Sequence, residues 1–417
     1  MNRYKQYFVN TFVLTFCFGI AALLSSCSDG KDSPDMPTPD KSPKNTTLLI
    51  YAVATNSLTG NLVSDKNEML QAASQIDLDK NNILVFETQY KYLEDNSKVG
   101  NVNLLKLVKD KDSESYKWET IKDYNDGVAS LNPDRVTEII DYVTHNFEAK
   151  NYGLIFWSHS TASQPYFDEN GSRSYSETNN QNEYMESLPM QYSFGQDIPI
   201  GNGAPYYQIN IDVLADAVPD NLFDYIWFDS CYMSNIETIY QFRNKCKTFV
   251  GYPTEVLDSG LPYQYVLPYL VGNEPDLVKA ASSFFDYYSN SFATVAVVDT
   301  GNIELLAESC KSFYSPNDVA PSSLMKYSRY STGPFYDFGD YSKSLALNNE
   351  EGMSSEEWSQ IMDKCILYKA TTSGSLLGLS IYEDRFSGIS THLYSFQDSD
   401  SQTEKYYKSL DWFKRVF

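Results

Sequence analysis

The chain has 417 residues, of which 42% are hydrophobic and 15% aromatic. That is enough apolar material for a large packed core and too much for wholesale disorder. A formal net charge of −23 repels phosphate backbones, which excludes nucleic-acid binding as a main function. The 34 tyrosines fit either a glycan- or peptide-binding face or ordinary amphipathic surface and core.

Arg3 and Lys5 precede an apolar run from Phe8 to Leu24, which ends in Leu24-Ser25-Ser26-Cys27. This is the pattern of a bacterial lipoprotein signal, in which residues 1–26 are removed and the Cys27 thiol is acylated. The run is short and holds Asn10 and Thr11, which argues against a membrane-spanning anchor. Residues 27–45 contain four prolines and almost no apolar side chain, and read as a flexible tether. The expectation is a body held by lipid in the cell envelope, at the outer membrane, facing periplasm or medium.

From Thr46 the pattern changes. Thr46–Thr55 opens with a continuous apolar run, as in a strand buried on both faces. Asp65–Ser74 is helical in pattern and Ile83–Glu87 is a second strand. Leu104–Val108 and Tyr116–Ile121 suit a hairpin. Asn132-Pro133 is an N-cap with proline at the first helical position, opening a helix to about Phe147. Further strands are expected at Leu154–Ser158, Tyr225–Ser230, Thr248–Tyr252 and Thr294–Val298. Helices are expected at Val213–Val218, Ser234–Arg243, Leu277–Tyr288 and Asn302–Phe313. Late in the chain, Trp358–Lys369 reads as a helix and Leu376–Tyr382 as one more strand. Between Ser160 and Gln208 lies a polar stretch with little apolar periodicity. A loop of that length in a compact domain is usually functional or disordered.

Strands alternating with helices predict an α/β fold with a largely parallel sheet covered on both faces. Residues 46–300 are expected to form the core, and residues 301–417 a less regular region completing it or packing on it. Sites in such sheets form beyond the carboxyl ends of the strands. There is no P-loop, HExxH or GxSxG motif. Asp77, Asp79 and Asn81 open like a calcium loop, but Asn82 stands where glycine is needed and no acid closes it. They read as a helix-to-strand turn.

Two strand ends carry chemistry. Leu154–Ser158 runs directly into His159, one of three histidines, and Tyr225–Ser230 runs directly into Cys231. On neighbouring strands these two side chains meet above the sheet edge as a Cys–His pair. Imidazole takes the thiol proton, the thiolate attacks a carbonyl, and imidazolium protonates the leaving amine. A buried inert thiol beside an incidental histidine is the other reading. Asp229 shares a strand face with Cys231. It is either the floor of a pocket that selects a cationic group or an N-cap or backbone hydrogen-bond acceptor. Arg173 is the sole basic residue between Lys150 and Arg243, and is either a self-cleavage site or a solvated surface charge. Cys246, Cys310 and Cys365 form no CxxC, which argues against a zinc ribbon or a disulfide scaffold.

Phe228-Asp229-Ser230-Cys231-Tyr232-Met233 resembles the Asp-x-Cys-x-Met signature of clostripain-like cysteine peptidases (peptidase family C11). Tyr152–Ser160 resembles that family's strand ending in the catalytic histidine, Pro253-Thr254-Glu255 and Gly260-Leu261-Pro262-Tyr263 are similar to its Bacteroidetes-type lipoprotein members, and Thr47–Leu58 and Gly378–Tyr382 also fit, so the similarity spans roughly residues 46–385. The resemblance implies a caspase-like three-layer α/β/α sandwich with a mostly parallel central sheet. It implies Cys231 as nucleophile, His159 as general acid/base and Asp229 as the acidic S1 residue for Arg or Lys at P1. It also implies an oxyanion site from the backbone N–H groups of Ser160 and Cys231, and self-cleavage at Arg173. Ser160-Thr161-Ala162-Ser163 departs from the small residue and glycine usual after the histidine, and Tyr232 is placed to crowd the cleft. No cofactor is expected. Calcium is used in the family, but no ligand motif supports it here. The implied protein is a monomeric, lipid-anchored endopeptidase acting on protein or peptide substrates. The competing expectations are an inactive member that binds peptide or glycan, and a hydrolase acting on a non-peptide amide.

Overall fold

The computed structural model describes residues 43–92, 98–160, 193–197, 207–311, 321–327, 335–348, 354–372, 381–392 and 402–417. Pro43–Phe417 make one compact unit. In chain order its first elements are β1 (Lys44–Ala54), α1 (Thr59–Ala72), β2 (Asn81–Tyr92), β3 (Lys98–Lys109), β4 (Tyr116–Asp123), α2 (Pro133–Asn146) and β5 (Ala149–Trp157). The next are β6 (Phe194–Asp197), β7 (Tyr207–Ile209), α3 (Ile211–Asp216), β8 (Phe223–Asp229), α4 (Ile236–Gln241), β9 (Cys246–Gly251), α5 (Tyr263–Leu270), α6 (Leu277–Tyr288), β10 (Thr294–Asp299) and α7 (Ile303–Cys310). The last are β11 (Phe335–Asp337), α8 (Phe338–Asn348), α9 (Ser355–Cys365), β12 (Ile366–Thr371), β13 (Ser390–His392), α10 (Gln402–Ser409) and α11 (Asp411–Val416).

Nine strands form the main sheet in the order β12-β10-β9-β8-β5-β1-β2-β3-β4. The five central strands, β9 to β2, run parallel, and the edges are closed by antiparallel strands on both sides. The two faces are covered separately. Along β1, Leu49, Tyr51 and Val53 enter one core with side chains of α2, α3, α4 and α7. Leu48, Ile50 and Ala52 enter the other with side chains of α1, α5 and α6. An apolar run without polar alternation is what a strand buried on both faces requires. In α2, Val136, Ile139, Ile140 and Val143 are buried on one stripe, and truncating one of them to alanine is expected to cost about 2–5 kcal/mol. Its start is set by Asn132, whose side chain accepts from the Asp134 N–H at 2.9 Å.

The hairpin of β3 and β4 forms as expected, and Asp77–Lys80 is a turn closed by the Lys80 N–H on the Asp77 carbonyl at 3.1 Å. Three expectations change. Helix α9 stops at Cys365 and Ile366–Thr371 is strand β12, because antiparallel pairing with β10 overrides the helical pattern there. Ile381 and Tyr382 lie outside any strand, and the rest of the expected 376–382 strand lies outside the described residues. The polar stretch from Ser160 to Gln208 contains β6, which pairs with β7. Helix α5 had no clear pattern in sequence because Pro268 interrupts it.

Candidate active site

Strands β5 and β8 are neighbours, in a register that pairs Trp157 with Asp229. His159 and Cys231 each lie two residues past that pair, at the carboxyl end of the sheet. The two turns touch: the Ser160 hydroxyl donates to the Cys231 carbonyl at 2.5 Å. The fold therefore brings together the histidine and the cysteine singled out in sequence. Cys246, Cys310 and Cys365 are buried elsewhere, whereas Cys231 is only partly buried.

The two side chains hydrogen-bond to different partners. The Cys231 Sγ accepts from the Val256 N–H at 3.4 Å and lies 3.8 Å from the Val256 carbonyl. His159 Nε2 is 2.8 Å from the Ser57 Oγ. Burial pushes the Cys231 thiol up to about 12, the nearby Glu255 and Asp229 charges adding to it and the Val256 N–H opposing it. Burial pushes the His159 imidazole down, against the pull of Asp258. The resting pair is therefore a neutral thiol and a neutral imidazole.

Strand β6 supports the histidine. The Gly195 N–H donates to the His159 carbonyl at 2.8 Å, inside an antiparallel bridge between Ser160 and Phe194. In that bonding pattern the N–H of Ser160 points away from β6. Strand β6 is also tied to the turn after β1, where Asn56 donates to the Gln196 carbonyl at 2.7 Å, and its Phe194 ring packs on Phe156 and Phe228 with centroids 5.2 and 5.8 Å apart. Strand β6 is itself held by the buried Asp197, which accepts from the Thr55 hydroxyl and from the Ser130 N–H at 3.0 Å.

Asp229 is buried and accepts from the Leu261 N–H at 3.1 Å, the Tyr252 hydroxyl at 3.2 Å and the Tyr263 hydroxyl at 3.4 Å. It is not an N-cap, since α4 is capped by Asn235. Burial raises its carboxyl to about 6 despite those three donors. Asp65, on α1, is buried nearby and accepts from the Trp157 indole at 2.8 Å. Burial first, and then the Asp229 charge, raise Asp65 to about 9. Glu68, one turn further along α1, accepts from the Tyr263 N–H at 2.9 Å. This is a buried, acidic region beneath Cys231, roofed by Gly260 in a left-handed conformation (φ +54°).

Tyr232 departs from expectation. Its backbone is left-handed (φ 59°), and its ring stacks on Phe335 with centroids 5.1 Å and planes 15° apart. It does not stand free in the cleft. It belongs to a cluster with Phe292, Met325 and Tyr327, against which Cys231 packs. Ser57, Asp65, Val256 and β6 were not found by sequence reasoning. Position gave a signal for Ser57 alone, since it follows the carboxyl end of a parallel strand. Arg173 and Cys27 lie outside the described residues, and no group of metal-ligating side chains occurs among the described residues. No helix among them is long and apolar enough to cross a membrane.

Comparison with known proteins bears on the family and the fold. The sequence profile of the clostripain family matches residues 50–187 and 201–415. An inactive zymogen C11 protease from Parabacteroides distasonis has a similar structure, with 26% identity and a TM-score of 0.70 over 90% of this chain and 99% of that one. A secreted C11 cysteine protease from Bacteroides thetaiotaomicron, solved with an irreversible peptide inhibitor, shares the fold at 24% identity. Its TM-score is 0.68 over 89% of this chain and 98% of that one. No curated relative matches the chain.

Proposed function

The chain belongs to the clostripain family and is a cysteine endopeptidase; we propose that Cys231 is its nucleophile, His159 its general acid/base and Asp229 its selector of Arg or Lys at P1. The observation that carries this reading is the β5–β8 register, which sets both side chains two residues past one paired position. His159 takes the thiol proton as Sγ bonds to the scissile carbonyl carbon. The N–H groups of Ser160 and Cys231 receive the oxyanion. The proton then passes to the leaving amine, and water hydrolyses the thioester by the reverse route. For this the thiol hydrogen must leave the Val256 carbonyl for His159, so the arrangement described is a resting one.

The lone arginine of the polar stretch, Arg173, is the proposed self-cleavage site, and acylated Cys27 the proposed tether outside the cytoplasm. The test is mass spectrometry of a diverse peptide mixture incubated with the soluble body, wild type beside Cys231→Ala. Cuts after Arg or Lys in wild type alone support the whole reading. Cuts elsewhere that still need Cys231 keep the nucleophile and remove the role of Asp229. An absence of cuts, with the polar stretch intact, leaves an uncleaved zymogen or the non-catalytic peptide- or glycan-binding alternative. The intact mass of Arg173→Ala in the same run reports self-cleavage, and cleavage persisting at that bond refutes the site.

A further inference from the structure

His159 has two ring nitrogens, and Ser57 occupies one of them. The Ser57 Oγ lies 2.8 Å from Nε2, so Nδ1 is the nitrogen left to exchange a proton with a thiol. To accept from the thiol, Nδ1 must be bare, which places the ring hydrogen on Nε2. The serine oxygen accepts that Nε2–H in the neutral ring and again in the imidazolium. The same contact therefore serves both protonation states of the cycle.

Ser57 is exposed, yet its place is fixed from both sides. The buried Asn56 donates to the Val53 carbonyl at 3.0 Å and to the Gln196 carbonyl at 2.7 Å, and accepts from the Leu58 N–H at 2.8 Å. The His159 side is tied to the same atoms. The Ser158 hydroxyl donates to the Val53 carbonyl at 2.7 Å and accepts from the Gln196 N–H at 3.3 Å. The Gly195 N–H holds the His159 carbonyl. Hydroxyl and imidazole are thus anchored to one carbonyl and one short strand, which is how a positioning contact is held to a narrow geometry.

We propose that Ser57 is a positioning residue for His159, holding Nε2 so that Nδ1 is presented to the Cys231 thiol. This rests on the reading of His159 as the base. The proton moves from Sγ to Nδ1 and on to the leaving amine, and Ser57 keeps its own hydrogen throughout. The charged side chain that bears on His159 is Asp258.

The test separates this contact from the activity. In full-length Cys231→Ala, 15N and 13C spectra of the imidazoles are followed with pH. There are three histidines, and His159→Gln identifies the signal. The Nε2–H tautomer is expected. Ser57→Ala should move the ring toward Nδ1–H and lower its midpoint by about half a pH unit or more, and Ser57→Thr should restore both. Unmoved signals in Ser57→Ala, or equal movement in Ser57→Thr, overturn the proposal. With the thiol intact, Ser57→Ala should lower kcat about tenfold and leave KM unchanged. If wild type shows no turnover dependent on Cys231, the enzymatic reading fails while the spectra still decide the role of Ser57.

Discussion

Replacing Asp229 by asparagine removes a buried carboxylate that the fold prefers to protonate. Its ordinary value of 3.8 is raised to about 6, a difference of about 2, which at about 1.4 kcal/mol each is about 3 kcal/mol. A raised carboxyl stabilises the fold fully below about pH 4, and that contribution is lost as pH rises to about 6. Asparagine has nothing to lose in that window. The unfolding free energy of Asp229→Asn, relative to the parent, should therefore climb by up to about 3 kcal/mol between about pH 4 and pH 7, whatever its constant offset from the changed hydrogen bonds. Denaturant unfolding in steps across that range, in the Cys231→Ala background, measures it. A flat difference refutes the electrostatic reasoning. The same substitution with the thiol intact should lower the preference for Arg or Lys at P1 by about 10-fold to 1,000-fold, because a buried carboxylate gains most from a cationic partner. Selectivity that survives refutes the pocket role.

Native alkylation should label Cys231 at least about tenfold faster than the buried Cys246, Cys310 and Cys365, and equal slow labelling of all four refutes the site. Because the resting thiol is pushed up to about 12, its labelling rate should still be rising above about pH 9, and a plateau near neutrality would show a ready ion pair instead. Gly260→Ala places a Cβ 3.0 Å from Asp229 Oδ2 in a left-handed backbone. It should cost about 1–2 kcal/mol, and an unchanged melting temperature would contradict the close roof over that carboxylate.

The centre of the sheet was legible because its strands are buried on both faces and so carry unbroken apolar runs, as in Leu48–Ala54. His159 and Cys231 were legible because each directly follows such a run. What was not legible came from tertiary contact. Residues 366–369 continue a helical pattern, yet join the sheet once β10 is beside them. Phe194–Asp197 has no strand signature, and is held in place by Thr55 and Ser130, far from it in the chain. Asp65 entered the sequence reading only as the first residue of a helical stretch. Its burial follows from where α1 crosses the sheet, which no local pattern encodes. Tyr232 looked like an obstruction from its position beside Cys231, but its backbone is left-handed and its ring stacks on Phe335 instead.

The strand order has a consequence for a broken chain. Strands β1 to β5 fill one side of the sheet and β8, β9, β10 and β12 the other, so the two sequence halves meet along β5 and β8. A single backbone break between Thr161 and Tyr206 would leave two fragments, each carrying half a sheet and one member of the Cys–His pair. An intact monomer would melt as a unimolecular body. The nicked one would be a heterodimer whose melting temperature rises with protein concentration, and whose site is rebuilt only when the two fragments associate.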